Sequence, residues 1–367
     1  MLSPIQAVQL FMSVRLAVAS IATSAAMLLA PAAHAQGACG SDVNRDGLVG
    51  PTDLVQVLGA WGTCSNCAAD ANRDGLVNST DLLSVLVSWG QTCTVPTWAT
   101  VLEYTPDPAI VTDPALREAI AATGRPWRVR RNGNPQIEML LVPPGSFQRG
   151  CSPSVQSGCA GDESPVHMVT LTSAFYLGRY EVTQAQWTAV MGLNPAHFQG
   201  PSYPNSGNRP VEKVSHIMAG NFCSSIGMRL PTEAEWEFAY RAGTTTAYHS
   251  VPGSPDGTDD EKLVGSIGWN ERNSGNQTHN VGGLAPNGFG FHDMAGNVYE
   301  WCQDRFGTYL STPQVDPVDE SSPTTYRVLR GGSFNLPPFY LRSSKRWGFL
   351  PNYQFSWIMG LRVARSP

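Results

Sequence analysis

The stretch from Phe291 to Asp304 reads FHDMAGNVYEWCQD. Gly296 lets this segment curl back, because a residue without a Cβ enters the left-handed region at little cost. With the chain so bent, Asp293, Glu300 and the carbonyls between them can converge on one hard cation, which binds oxygen ligands. A turn fixed by Asn297 and packed by Trp301 accommodates the same residues without a metal. On either reading the segment is a tight turn in a loop-rich scaffold rather than part of a long helix.

The flanking segments have the same short-element character. Residues 229–243, RLPTEAEWEFAYRAG, predict a helix with Thr232 as cap, Glu235 reaching back to it and Gly243 at the end. Residues 183–192, TQAQWTAVMG, repeat the device with Thr183 and Gln186, and residues 112–124 predict a helix with Pro114 in its first turn and Gly124 beyond its end. IEMLLVPPGSFQRG (137–150) and VHMVTLTSAFYLGRYEVT (166–183) read as short strands joined by turns. With 36 glycines and 28 prolines in 367 residues, long helices should be few, and the fold class is α+β. A net charge of −5 and no lysine or arginine run leave no footprint for nucleic acid or anionic lipid.

Six motifs then fall in a recognisable order: PPGSFQRG, EVTQAQW, RLPTEAEWEFAYRAG, the run from Asn273 to Asp304, VLRGGSF and GLRVA. Over roughly residues 126–367 the chain resembles the sulfatase-modifying-factor family, whose best-known members are formylglycine-generating enzymes. The resemblance implies an irregular, C-type-lectin-like α+β domain, low in secondary structure. It also implies a structural Ca²⁺ held by Asp293, the Gly296 and Val298 carbonyls, and Glu300.

Residues 331–344, GGSFNLPPFYLRSS, are where this chain departs from the enzymes it resembles. Those enzymes oxidise a cysteine with O₂ on copper(I) held by two cysteines, three and eight residues after the GGS serine. Here the corresponding positions are Leu336 and Leu341. Copper(I) selects soft thiolate, which an alkyl group cannot replace, so copper is not expected. Ile358 stands where the family places an asparagine. The groups left to shape a groove are Trp301, Ser333, Arg342 and Arg362. No catalytic residue is assigned, since the histidines show no metal-site spacing, no nucleophile elbow is present, and Ser333 has no base assignable from sequence. Glu233, Glu235 and Glu237 read as first-turn and capping charges.

The N-terminal part is of another kind. Arg15 precedes an apolar run, Leu16 to Leu29, ending at Ala33-His34-Ala35, the pattern of a secretory leader (1–35) cleaved after Ala35. Export makes disulfides permissible, and no membrane span is expected after cleavage. Residues 39–64 and 67–93 are two copies of one unit, each with Asp-x-Asn-x-Asp-Gly and an aspartate at the twelfth loop position. An EF-hand-type loop supplies oxygens at positions 1, 3, 5, 7 and 12. Those positions are Asp42, Asn44, Asp46, the Leu48 carbonyl and Asp53, then Asp70, Asn72, Asp74, the Leu76 carbonyl and Asp81. Apolar residues at helical spacing follow each loop: Leu54, Leu58 and Trp61, then Leu82, Leu86 and Trp89.

This duplicated loop-helix resembles dockerin modules, which implies calcium-dependent folding and a cohesin-like or cell-surface partner. The resulting organisation is a small all-α module (36–93), a linker (94–109) and the larger domain (110–367). Bridges Cys39–Cys64 and Cys67–Cys93 would staple the module, and Cys151 would bridge Cys159. Cys223 and Cys302 either pair or stay buried as small apolar groups. The function expected is that of a secreted or periplasmic binding or structural domain of unknown ligand, tethered by calcium loops. The alternative is an oxidoreductase of the same family working through a divergent site.

Overall fold

The computed structural model describes residues 38–64, 67–71, 75–93, 95–152 and 159–367. The expected leader, and the expected ligands Asn72 and Asp74, lie outside them. In the acidic module each loop runs into a nine-residue helix, α1 (Pro51–Gly59) and α2 (Ser79–Val87). Asp53 takes the Gly50 amide at 2.7 Å and Asp81 takes the Asn78 amide at 2.9 Å, so the twelfth residue of each loop also caps its helix. Two short strands, β1 (Gly62–Thr63) and β2 (Leu76–Val77), pair antiparallel between the copies, a small departure from an all-α module.

The module's core is thin: Val43, Val49, Val57, Val77 and Val85, completed by Val101 and Tyr104 from the segment that follows. That segment corrects the expected linker. Ala99–Glu103 is a strand, β3, because alternate residues Ala99 and Val101 are buried and its backbone pairs antiparallel with β4 (Arg128–Arg131). The disulfides also differ from expectation. They join Cys39 to Cys93 and Cys64 to Cys67, while Cys151–Cys159 forms as expected. The cause is that the module's two ends meet, with Cys93 N donating to Gly47 O at 2.8 Å and Gly90 N to Val49 O at 2.8 Å. Cys64 and Cys67 are left together in the turn between copies.

The larger domain packs short strands and capped helices around one aromatic core. Its five-stranded sheet runs β16 (Ala364–Arg365), β8 (Phe175–Gly178), β5 (Glu138–Val142), β4, β3. A three-stranded sheet orders β12 (Gln314–Val315), β7 (His167–Leu171) and β6 (Gly145–Arg149). A four-stranded one orders β14 (Arg346–Phe349), β13 (Arg327–Arg330), β11 (Tyr299–Arg305) and β15 (Met359–Gly360). A two-residue parallel pair, β9 (Gly268–Trp269) with β10 (Ala295–Gly296), completes the strands named here.

The helices are α3 (Pro114–Ala122), α4 (Gln184–Met191), α5 (His216–Ser225) and α6 (Glu233–Arg241). The caps read from sequence form: Thr183 accepts from Gln186 N, Thr232 from Glu235 N, and each N3 side chain returns the bond. Trp127, Trp187, Trp236 and Trp301 are all fully buried. Each removed to alanine would cost about 3–5 kcal/mol.

Candidate functional site

The stretch 331–344 leaves β13 and turns at Gly331 and Gly332, both at positive φ (93° and 76°). A Cβ on Gly332 would stand 2.7 Å from Leu341 Cδ1 and 2.8 Å from the Tyr340 carbonyl, so no side chain fits. The turn is tied to the opening motif, since Gly296 N donates to Gly331 O at 2.8 Å and Phe334 N to Asn297 O at 2.9 Å. Gly296 lies at φ 83° with Trp269 O only 2.0 Å from an added Cβ, which is why the sequence needs glycine there.

A buried layer of arginines and carboxylates clamps the same stretch from both ends. Arg346 grips Glu233 with two bonds, 2.8 and 2.7 Å, and Arg149 adds a third at 2.6 Å. Arg330 meets Glu237 and gives bonds to the carbonyls of Ser343, Ser344 and Lys345. Arg241 also pairs with Glu237, at 2.8 Å. Arg342 and Ser344 both reach Glu163, at 2.8 and 2.5 Å. Burial alone would raise the Glu233 carboxyl, but Arg346, Arg149 and Arg330 outweigh it and hold it down to about 2. Glu233 does lie in the first turn of α6, as read, but it and Glu237 serve as buried ion-pair partners rather than capping charges, while Glu235 does cap and pairs with Arg229. The signal available in sequence was the Glu237–Arg241 spacing of four within an aromatic helix.

The groove expected at Trp301, Ser333, Arg342 and Arg362 is not formed. All four are buried, at 0–2% exposure. Trp301 Nε1 donates to Val214 O at 2.9 Å, Ser333 Oγ to Asn335 Oδ1 at 2.9 Å, and Arg362 forks onto Glu300. Leu341 is fully buried in the core and Leu336 packs partly buried against it. Structure also brings in a sulfur that sequence order hides: Cys159 of the Cys151–Cys159 bridge accepts from Arg342 Nη1 at 3.2 Å.

Beside the stretch lies an aromatic cluster that reaches from the core to the surface: buried Phe334 packs edge-on to buried Phe198 at 5.2 Å, and Phe198 meets half-buried Tyr203 at 5.3 Å. Exposed Trp357 closes against exposed His197 at 4.6 Å. Beneath the patch, Glu212 holds the His197 and Phe198 amides at 2.7 and 2.9 Å with one carboxylate oxygen, and burial pushes its carboxyl up to about 7.

At the residues expected to hold calcium in the larger domain, Glu300 accepts from Arg362 and from Trp236 Nε1 at 2.7 Å, while Asp293 Oδ1 is buried without a hydrogen-bond partner among the described residues. Asp293 takes the Gly282 amide at 2.7 Å through Oδ2, and burial raises its carboxyl to about 6. A neighbouring carboxylate that sequence reasoning missed, Glu181, accepts from Asn297 Nδ2 at 2.6 Å and Val298 N at 3.0 Å. Burial, followed by the charges of Asp293 and Glu300, pushes Glu181 well up. It borders a pocket of about 520 Å³ lined also by Arg130, Glu138, Tyr180 and Gln186.

In the acidic module the first loop is closed on its own amides. Asp42 accepts from Asp46 N at 3.1 Å and Gly47 N at 2.9 Å, and Asp53 from Asn44 N at 3.0 Å and Gly50 N at 2.7 Å. Gly47 and Gly75, sixth in their loops, both have positive φ (92° and 87°). In the second loop Asp70 takes Gly75 N at 2.9 Å, matching Asp42 and Gly47. Asp42, Asp53, Asp70 and Asp81 are buried. Burial raises the Asp42 carboxyl, the Gly47 amide opposes it, and the charges of Asp53 and Asp46 add to the rise. Among the described residues no three carboxylate, imidazole or thiol side chains stand close enough to hold a metal ion as they are. The donor set is nonetheless all hard oxygen, which fits Ca²⁺ and no soft metal.

Residues 127–367 match the model of the sulfatase-modifying factor enzyme 1-like domain. The chain belongs to this family. Residues 40–86 match the dockerin type I domain. Among relatives, the formylglycine-generating enzyme of Thermomonospora curvata is 34% identical over 163 residues, 40% of this chain and 52% of that one. The serine/threonine-protein kinase pkn1 of Chlamydia pneumoniae is 33% identical over 232 residues, 57% of this chain. This chain spans only 35% of that relative, whose name describes the whole protein. Among solved structures, Treponema denticola variable protein 1 aligns with a TM-score of 0.56 and 29% identity, over 64% of this chain and 97% of that one. These likenesses agree with the irregular α+β fold. The two positions where the resemblance implies copper-binding thiols, 336 and 341, are both leucine in this chain.

Proposed function

We propose that this chain is an exported, non-catalytic member of its family, a binding or structural domain carried on a calcium-dependent dockerin-like module. The observation that carries the reading is the state of 331–344. Leu341 is sealed in the core, Leu336 packs against it, and Ser333, Arg342 and Arg362 are all committed to internal partners. No thiolate pair stands where copper chemistry requires one. The face left for a ligand is the aromatic patch of His197, Tyr203 and Trp357, since ring faces exposed beside a rigid scaffold are what recognition surfaces use.

For calcium, Asp42, Asn44, Asp46, the Leu48 carbonyl and Asp53 would hold one ion. Asp70, the Leu76 carbonyl and Asp81 would hold a second, together with Asn72 and Asp74. The ion would neutralise carboxylates that backbone amides of their own loops now hold. The helices that follow present Val55, Leu58, Leu83 and Val87 outward, an apolar face suited to a cohesin-like partner. Three disulfides fit an extracellular setting, and no helix among the described residues is long and apolar enough to cross a membrane.

The test incubates the purified mature chain with Cu(I), O₂ and a Cys-x-Pro-x-Arg peptide. The expected result is an unchanged peptide mass. Conversion of the peptide thiol to an aldehyde would overturn the non-catalytic reading.

A further inference from the structure

The acidic module contains thiol chemistry that neither calcium nor docking uses. Cys64 and Cys67 form a Cys-x-x-Cys disulfide, three positions apart in sequence. Both are half-buried at the surface, whereas Cys39 and Cys93 sit in the module's core. The Cys67 amide donates to the Cys64 sulfur at 3.1 Å. An N–H aimed at sulfur favours the thiolate over the thiol, the device by which Cys-x-x-Cys motifs become reactive. The turn is also held independently of its S–S bond. Cys64 N donates to Gly75 O at 3.1 Å, and Asp70 N donates to Cys67 O at 3.2 Å. Opening the disulfide breaks neither of these backbone bonds.

Burial separates this bridge from its neighbour: Cys39 and Cys93 are buried in the module's core, while Cys64 and Cys67 are half-exposed, and exposed bridges are the more readily reduced. We propose that Cys64–Cys67 is a thiol–disulfide exchange site for small thiols of the glutathione class. An incoming thiolate attacks the Cys67 sulfur, the S–S bond breaks, and Cys64 leaves as the amide-stabilised thiolate. A second small thiolate attacks the mixed disulfide and releases Cys67. The protein disulfide is reduced by two electrons, and the two small thiols leave joined as their own disulfide. The proposal holds whether or not the acidic loops take up calcium.

The test equilibrates the full chain in glutathione buffers of graded reduced-to-oxidised ratio, quenches with acid, and labels free thiols before peptide mass spectrometry. Cys64 and Cys67 are expected to reach half-labelling at a [GSH]²/[GSSG] ratio about tenfold or more below that for Cys39 and Cys93. Reduction of both bridges at one ratio, or of Cys39–Cys93 first, overturns the proposal. In oxidised glutathione, Cys64→Ser, which leaves Cys67 free, is expected to carry several-fold more mixed disulfide than Cys67→Ser. Equal or reversed occupancy would remove Cys64 as the leaving sulfur.

Discussion

The acidic module and the larger domain both bury carboxylates, and they neutralise them in opposite ways. Around 331–344, Glu163, Glu233, Glu237 and Glu300 each meet an arginine from a distant part of the chain. In the first acidic loop, Asp42 and Asp53 are held chiefly by backbone amides of the same short segment and meet no arginine among the hydrogen bonds that hold them. The first arrangement supplies its own counter-charge and locks the fold; the second leaves charge for something outside the chain to neutralise. The difference teaches where this protein is fixed and where it can respond to its surroundings.

The largest expected effect breaks the fixed side. Glu237→Ala strips Arg330 and Arg241 of their shared partner and leaves both cations buried, a loss of roughly 3–5 kcal/mol. Thermal melting of the full chain should fall by roughly 10 °C, and by the same amount in calcium and in chelator. A loss under about 1 kcal/mol would mean that the arginine layer does not hold the stretch.

Next in size is the responsive side. Ca²⁺ at about a hundred to a thousand times its dissociation constant should stabilise the module by about 3–4 kcal/mol. Calorimetry of the full chain in calcium against chelator is expected to lower the module's transition, and Asp53→Asn should abolish most of the difference. Melting identical in the two buffers would erase the contrast, because the acidic loops would then be self-sufficient. Val101 and Tyr104 share the module's core, so the transition should also report on β3.

Much of this contrast was legible in sequence, and the limits have physical causes. Capping boxes at Thr183 and Thr232 are local, set within four residues, and they formed as read. The glycines at 47 and 75 mark turns because the bonds that need them, to Asp42 and Asp70, fall within the same loop, whereas Gly296 is required by Trp269 O from a separate segment. What failed was long-range. A buried arginine and an exposed one look alike in a sequence, so Arg342 and Arg362 were expected to line a groove, although each is consumed by a carboxylate 179 and 62 positions away. Disulfide pairing failed for the same reason: each repeat suggested a bridge of its own, while the ends of the whole module meet instead. Glu300 was legible as a carboxylate beside a glycine turn, but its partner lay outside the motif.

The smallest expected effect concerns Glu212, a buried carboxylate that belongs to neither class. It has no arginine; the His197 and Phe198 amides share one of its oxygens, and the other has no hydrogen-bond partner among the described residues. Burial raises its carboxyl from 4.5 to about 7, with the two amides and Lys213 opposing. A carboxyl raised on folding means that the folded chain holds more protons than the unfolded one between those values. Its stabilising contribution is therefore complete below about pH 4.5 and is lost as pH rises through about 7, by roughly 2–3 kcal/mol. Glu212→Gln cannot ionise, so its stability relative to the parent chain should improve by that amount between pH 5 and pH 8. Denaturant melts at the two pH values measure it. A difference that does not change with pH would mean that Glu212 stays charged beneath the aromatic patch, stabilised by its amides alone.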